Sequence, residues 1–250
     1  GPAPGDVGVR ITSSPLIIVA GLVVAVGFTV GVSLLVDRLV YRPIRSADGI
    51  TLLIASIGVA FALRYLIVFF FYSGRQGVTD ISRVPSYDIA GVVINAHELT
   101  IVVVALALMV GVHLLLQRSK LGKAMRAMAD NRDLAQVTGI PVEGVIRTTW
   151  ILGGGLAGAA GYLVVLTQGT SAYDLGWLLL LLIFAAVIMG GIGSVYGAIV
   201  GGLVIGLASR LSLIWLTGDL SSFAEPVAFG LMIFVLLFRP EGIFGGVSTA

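Results

Sequence analysis

The sequence predicts an all-α integral membrane protein, a polytopic helical bundle of about seven spans. Of the 250 residues, 58% are hydrophobic and only 11% charged, against roughly one-quarter charged in soluble domains. The apolar residues also fall into seven long continuous runs. A transmembrane barrel would show strands of about 10 residues alternating in polarity. Helices satisfy their own backbone groups in lipid, as any span must.

The spans follow from the length a hydrocarbon core demands, about 20 apolar residues of helix. They are expected at 16–36, 50–72, 99–116, 145–166, 177–190, 197–213 and 223–238, in one transmembrane domain covering 1–250. The fifth and seventh are short enough to be tilted or re-entrant. Residues 1–15 hold no basic stretch followed by a cleavable apolar one. With Gly1 in place of Met, the native protein is expected to begin upstream.

Charge sets the orientation. If the spans alternate, the segments 37–49 and 117–144 lie on one side with Arg239, giving that side nine basic residues against Arg10, Arg75, Arg83 and Arg210 on the other. The positive-inside bias then places residue 1 outside and Ala250 in the cytoplasm. The outer segment 73–98 carries turn residues Gly74, Gly77, Pro85 and Ser86 and reads as a partly ordered connector, or as a lid or docking surface.

The segment 117–144 carries most information. Ser119 can cap a helix in which Leu121, Ala124, Met125 and Met128 form one stripe while Lys120, Lys123 and Arg126 take other faces. A second helix of two turns, 132–138, is expected to stop at Gly139 with Pro141 beyond. Isolated helices below about 12 residues barely form, so something must hold it. An amphipathic segment of this kind suits a membrane surface and a protein groove equally.

Other patterns exclude chemistry. There is no cysteine, hence no disulfide or thiolate metal site. A net charge of +2 gives no reason to expect nucleic acid. The run 190–197 is no dinucleotide fingerprint, because its third glycine is one residue late and no acid follows about 20 positions on. It reads as a cytoplasmic turn. Gly122-Lys123 lacks the remainder of a phosphate-binding loop. His97 and His113 belong to no metal pattern, and no catalytic set is recognisable, so no metal, cofactor or enzymatic activity is expected on this chain.

Small residues spaced by four, Gly154 with Gly158, Gly193 with Gly197, Gly197 with Gly201 and Gly202 with Gly206, suit close helix packing in lipid or the moving helices of alternating access. Arg64, two-thirds along its span, costs roughly 2.5–3.5 kcal/mol at a bilayer centre. It is expected to line a path, meet a partner or snorkel. Thr148, Thr149, Gln168, Tyr173 and Asp174 are expected to gather at one span and its outer exit, as solute contacts or as helix caps.

Read in order, several motifs resemble the permease subunits of ATP-binding-cassette (ABC) importers of the branched-chain amino acid type. They are Tyr41-Arg42-Pro43-Ile44-Arg45, Leu121-Gly122-Lys123-Ala124-Met125-Arg126-Ala127, Gly139-Ile140, the small-residue run 153–161, Val187-Ile188-Met189-Gly190-Gly191-Ile192-Gly193-Ser194 and Arg239-Pro240-Glu241-Gly242-Ile243-Phe244-Gly245. In that family a Glu-Ala-Ala-x-x-x-Gly loop inserts a coupling helix into the ATPase. Asp133-Leu134-Ala135-Gln136-Val137-Thr138-Gly139 looks like a divergent copy, with Asp for Glu and Leu for the first Ala. The family also begins with further membrane segments, including an Asn-Phe-Ala-His/Gln-Gly-like stretch that has no match here.

The resemblance implies half of a translocation path for branched-chain or related hydrophobic amino acids in a prokaryotic plasma (inner) membrane. It implies ATPase coupling through Arg126, Asp133, Leu134, Ala135 and Gly139. The partners implied are two ATPase subunits that hold ATP and Mg, a second similar permease and an extracytoplasmic solute-binding protein. A urea or short-amide permease of the same family is the near alternative. An ATP-independent secondary transporter or channel is the distant one, and would want inverted repeats and midplane charges.

Overall fold

The computed structural model describes residues 15–71, 76–77, 86–89, 92–215 and 224–244. Arg10, Arg75, Arg83, Gly245 and most of the segment 73–98 lie outside them, as does the side chain of His97. The helices are α1 (Pro15–Val36), α2 (Gly49–Phe71), α3 (Ala96–Arg118), α4 (Lys120–Asp130), α5 (Arg132–Val137), α6 (Val142–Gln168), α7 (Leu175–Gly190), α8 (Val195–Trp215) and α9 (Ala224–Phe238). Four short strands, β1 (Gln76–Gly77), β2 (Ser86–Ile89), β3 (Val92–Asn95) and β4 (Thr170–Ser171), form two antiparallel ribbons, β1 with β4 and β2 with β3. The ribbons leave the fold all-helical in character.

Among the described residues five helices, including α6 and α8, are long and apolar enough to cross a membrane. Helices α7 and α9, with 16 and 15 residues, reach only about 24 and 22 Å at 1.5 Å per residue. These are the two spans whose sequence runs are short. Beyond Val36 the first span continues as a π turn over Asp37–Tyr41, closed by Arg42 N–H donating to the Asp37 carbonyl at 2.7 Å. Arg38 therefore belongs to a helical extension rather than to a loop. Contacts group the chain into two compact units, 1–173 and 174–250, and each is taken by itself.

In the first unit α1 and α6 run antiparallel and interlock at a stride of four residues. A Cβ on Gly154 would meet Ser33, and one on Gly158 would lie 2.7 Å from Thr29 Oγ1 and 3.0 Å from the Ala25 carbonyl. Gly21 faces the Tyr162 hydroxyl, which donates to the Ile18 carbonyl at 3.0 Å. Ser33 Oγ donates across to the Trp150 carbonyl at 3.1 Å. Small residues let the backbones approach, and van der Waals contact replaces the hydrophobic drive that lipid removes. Helix α2, apolar but for Thr51, Ser56, Arg64 and Tyr65, buries none of its residues.

In the second unit α7 and α8 also run antiparallel. A Cβ on Gly197 would strike the Gly190 carbonyl and one on Gly201 the Ala186 carbonyl. Around this seam Met189, fully buried, packs with Ala185, Ala186, Ile205 and Ala228. Gly191 and Gly193, at φ of +107° and +90°, make the turn between the helices. Ser194 Oγ then accepts from Gly197 N–H at 3.0 Å and starts α8. Gly193 is thus a turn residue rather than a packing partner of Gly197 on one helix face, because a backbone in the left-handed region cannot continue a helix. A Cβ on Gly202 or Gly206 would meet nothing within 4 Å.

The segment after α9 closes on α7. Gly242, at φ +85°, comes so near that a Cβ there would lie 2.5 Å from Gly191 N. Ile243 N–H donates to the Met189 carbonyl at 2.9 Å, and Phe244 N–H to the Gly190 carbonyl at 3.0 Å. The two motifs around 187–194 and 239–244 therefore meet, and the second satisfies carbonyls that the end of a helix leaves open.

Candidate functional site

The segment between α3 and α6 is a rigid elbow. Ser119 Oγ accepts from Gly122 N–H at 2.9 Å and donates to the Leu115 carbonyl at 2.5 Å. Gly122 is buried against the last turn of α3, where a Cβ would meet the Leu115 and Leu116 carbonyls. Arg126 Nη1 reaches back to the Leu116 carbonyl at 2.5 Å. The stripe Leu121, Ala124, Met125 and Met128 is half-buried while Lys123 and Arg126 stay exposed.

Helix α5 begins at Asn131, whose Oδ1 accepts from Leu134 N–H at 2.9 Å. At its other end Ile140 N–H donates to the Ala135 carbonyl at 3.0 Å and Gly139 N–H to the Gln136 carbonyl at 3.1 Å, with Gly139 at φ +85°. This pair of bonds is a Schellman motif. The helix ends at Val137, one residue short of the expected Thr138. Ala135 is buried, whereas Leu134 and Val137 are 61% and 85% exposed and Asp133 stands exposed in the first turn. The short helix is therefore held by its own caps and one anchoring alanine, and it presents two apolar side chains to its surroundings.

Between the α1–α6 pair and α2 lies a cavity of about 660 Å³, within the roughly 300–1,000 Å³ of small-molecule sites. Helix α1 and its extension contribute Thr29, Ser33 and Tyr41, α2 contributes Ser56, Val59 and Leu63, and α6 contributes Thr149, Trp150 and Gly154. Met128 of α4 completes the wall, so the elbow touches the cavity directly. Tyr41 and Trp150 pack with ring centroids 5.0 Å apart.

Beside the cavity an ion-paired knot joins three segments. Arg45 Nη2 meets Asp37 Oδ1 and Arg45 Nη1 meets Glu143 Oε1, each at 2.7 Å. Arg42 lies 3.9 Å from the other Glu143 oxygen. Asp37 and Arg45 are largely buried, while Glu143 is 62% exposed, so the Asp37 bond is the better shielded of the two. Glu143 is the second residue of α6, three positions after Ile140. Through it the knot ties the exit of the elbow to the end of α1. Nothing local in the sequence marks Asp37 and Glu143 as partners of one arginine. Their signal is an acid beside each basic span end, legible only once the partner 98 residues away is known.

Arg64 does not line the cavity. Its guanidinium lies over the Tyr173 ring at 5.2 Å, a cation–π contact, seven residues or about 10 Å from the Phe71 end of α2. Thr148 and Thr149 are not gathered with Gln168 and Tyr173. They lie in the first turns of α6, about 30 Å of helix from Gln168, and only Thr149 reaches the cavity. Among the described residues no three His, Asp or Glu side chains converge as a metal site would require.

Compared with known proteins, the chain matches over residues 7–236 the family described as branched-chain amino acid transport system / permease component. It is 32% identical over 237 residues to the high-affinity branched-chain amino acid transport system permease protein BraD of Pseudomonas aeruginosa, covering 93% of this chain and 76% of BraD. It is 30% identical to the LivH permease protein of the corresponding system in Escherichia coli, covering 92% and 75%. To the LivM permease protein of Escherichia coli it is 25% identical, covering 63% and 36%. No solved structure matches the chain.

Proposed function

Because the chain belongs to the family of branched-chain amino acid transport system permease components, we propose that it forms half of a translocation path for aliphatic amino acids and is driven by ATPases on separate chains. It is a multi-pass membrane permease. The observation that carries the coupling is Met128, a residue of the elbow that is also a wall of the cavity.

In this reading the ATPase pair grips α5 through Leu134 and Val137, with Asp133 and Arg126 at its margin. Ala135 and Gly139 keep the helix seated and terminated. Closure of the ATPases on ATP and Mg shifts α5. The elbow, braced at Ser119 and Gly122, carries that shift to Met128, and the Arg45 knot carries it to α1 and α6. The cavity then opens alternately to the two sides, a population shift driven by differential binding at the ATPase. A second permease of similar fold completes the path. A solute-binding protein delivers the amino acid from outside, and residue 250 faces the cytoplasm of a prokaryotic inner membrane. A single permease domain over 1–250 is part of the same proposal.

The test is labelled leucine uptake by the whole complex in vesicles. Uptake should require ATP, and Leu134→Asp with Val137→Asp should lower it by at least about tenfold, each lost apolar anchor being worth 1 kcal/mol or more at an interface. The amount of permease should not change, and the ATPase should no longer copurify. Uptake that follows ion gradients, ignores ATP and persists in a complex without ATPase would end this reading.

A further inference from the structure

We infer that the cavity between α1, α2 and α6 binds the ammonium end of an aliphatic amino acid through neutral hydroxyl oxygens, without a carboxylate. The inference rests on the permease reading above and adds how the solute is held during passage.

The polar groups of the lining are constrained by where their protons go. Thr29 Oγ1 lies 2.8 Å from the Ala25 carbonyl, Ser56 Oγ 2.7 Å from that of Leu53, and Thr149 Oγ1 3.0 Å from that of Val145. Ser33 Oγ lies 2.9 Å from the Val30 carbonyl and 3.1 Å from that of Trp150. A carbonyl can only accept, so in each contact the hydroxyl donates its one proton. What remains on all four is lone-pair acceptor capacity. An ammonium group has three donors and no acceptor. Four acceptors from three helices complement it and, with their protons committed to backbone carbonyls, suit an ammonium better than a carboxylate. The lining's other polar groups, the Tyr41 hydroxyl and Trp150 indole, belong to one tilted ring pair with centroids 5.0 Å apart.

The rest of the wall is aliphatic, from Val32, Val36, Val59, Ala60, Leu63 and Ile146, which suits a branched hydrocarbon side chain. No charged residue lines the cavity. An acidic residue here would pair with the ammonium in a low dielectric and hold it strongly. Neutral oxygens bind more weakly, and passage needs a site that a solute can leave as readily as it enters.

The test uses the complex in lipid nanodiscs without its solute-binding protein. Bound labelled leucine is challenged with 3-methylbutylamine, which is leucine without its carboxylate, or with 4-methylpentanoate, which lacks the ammonium. The amine should displace leucine and the acid should not. Ser56→Ala and Thr149→Val should each weaken leucine retention by about tenfold, the scale of one hydrogen bond to a charged group, and Thr149→Ser should restore it. Ser33 is left intact because it also ties α1 to α6. Displacement by the acid as effective as by the amine, leucine that is not retained, or variants that bind as the parent does would overturn the inference. ATP-driven uptake by the complete complex is measured alongside. If it persists while the cavity results are negative, only this inference falls, and if it is absent the coupling reading falls as well.

Discussion

Helices α1 and α6, and helices α7 and α8, are both antiparallel pairs that meet at small residues four apart, yet they touch through different atoms. Along α7 and α8 the close-packed glycines face backbone carbonyls, Gly190 with Gly197 and Gly201 with Ala186. Along α1 and α6, Gly154 and Gly158 meet the side chains of Ser33 and Thr29 first, with the Thr29 and Ala25 carbonyls 3.3 and 3.0 Å from an added Cβ. A carbonyl in a helix cannot move without the helix, whereas a serine hydroxyl, though not its Cβ, can change rotamer. The first arrangement makes a fixed seam. The second seam has side chains nearest its glycines, and it borders the cavity.

The contrast can be broken most directly at Gly201. Gly201→Ala should cost about 3 kcal/mol or more, because overpacking against backbone leaves no side chain to yield, and detergent-extracted protein should lose most of its folded fraction in thermal melts. A milder loss than at Gly154 would reverse the assignment of the rigid seam.

Arg45→Ala comes next, with an expected cost of roughly 1.5–3 kcal/mol for the shielded bond to Asp37. Glu143→Gln should cost under about 1 kcal/mol, since that carboxylate is mostly in water. Thermal melts rank the two, and equal effects would mean that shielding does not separate the bonds.

Gly154→Ala should be milder than Gly201→Ala, about 1–2 kcal/mol. Adding Ser33→Gly should recover part of it in a double-mutant cycle, although glycine itself costs up to about 1 kcal/mol inside a helix. No recovery would show that backbone rather than the serine limits the approach. Gly202→Ala sets the floor. Nothing lies within 4 Å of the added carbon, so stability should hold or rise slightly with the helix propensity of alanine.

Much of the architecture was legible because the signals are local. Continuous apolar runs marked the helices, and Ser119, Gly139 and Pro141 bounded α4 and α5 through bonds that span a few residues. Two readings went astray for a related reason. Four-residue spacing made Gly193 look like a packing glycine, but spacing speaks only inside a helix, and two positive-φ glycines end the helix there. Threonines and tyrosine near α6 looked like one cluster, but 20 residues of rise separate them. The site itself was the least legible part. The cavity depends on hydroxyls from three helices, and the knot of Asp37, Arg45 and Glu143 joins residues about 100 positions apart. The need for an external grip on α5 was also read too strongly, since Asn131 and the Gly139 turn supply capping that helix length alone does not reveal.

The stretch from Gly242 to Phe244 has a consequence for the brevity of α7. Donors brought from elsewhere in the chain quench the peptide oxygens of Met189 and Gly190, so this helix can stop after 16 residues without baring polar backbone to hydrocarbon or requiring water at its tip. Removing the last eight residues, from Ile243 onward, would strand both oxygens, and a span already short of the bilayer would lose the stopper that makes its shortness tolerable.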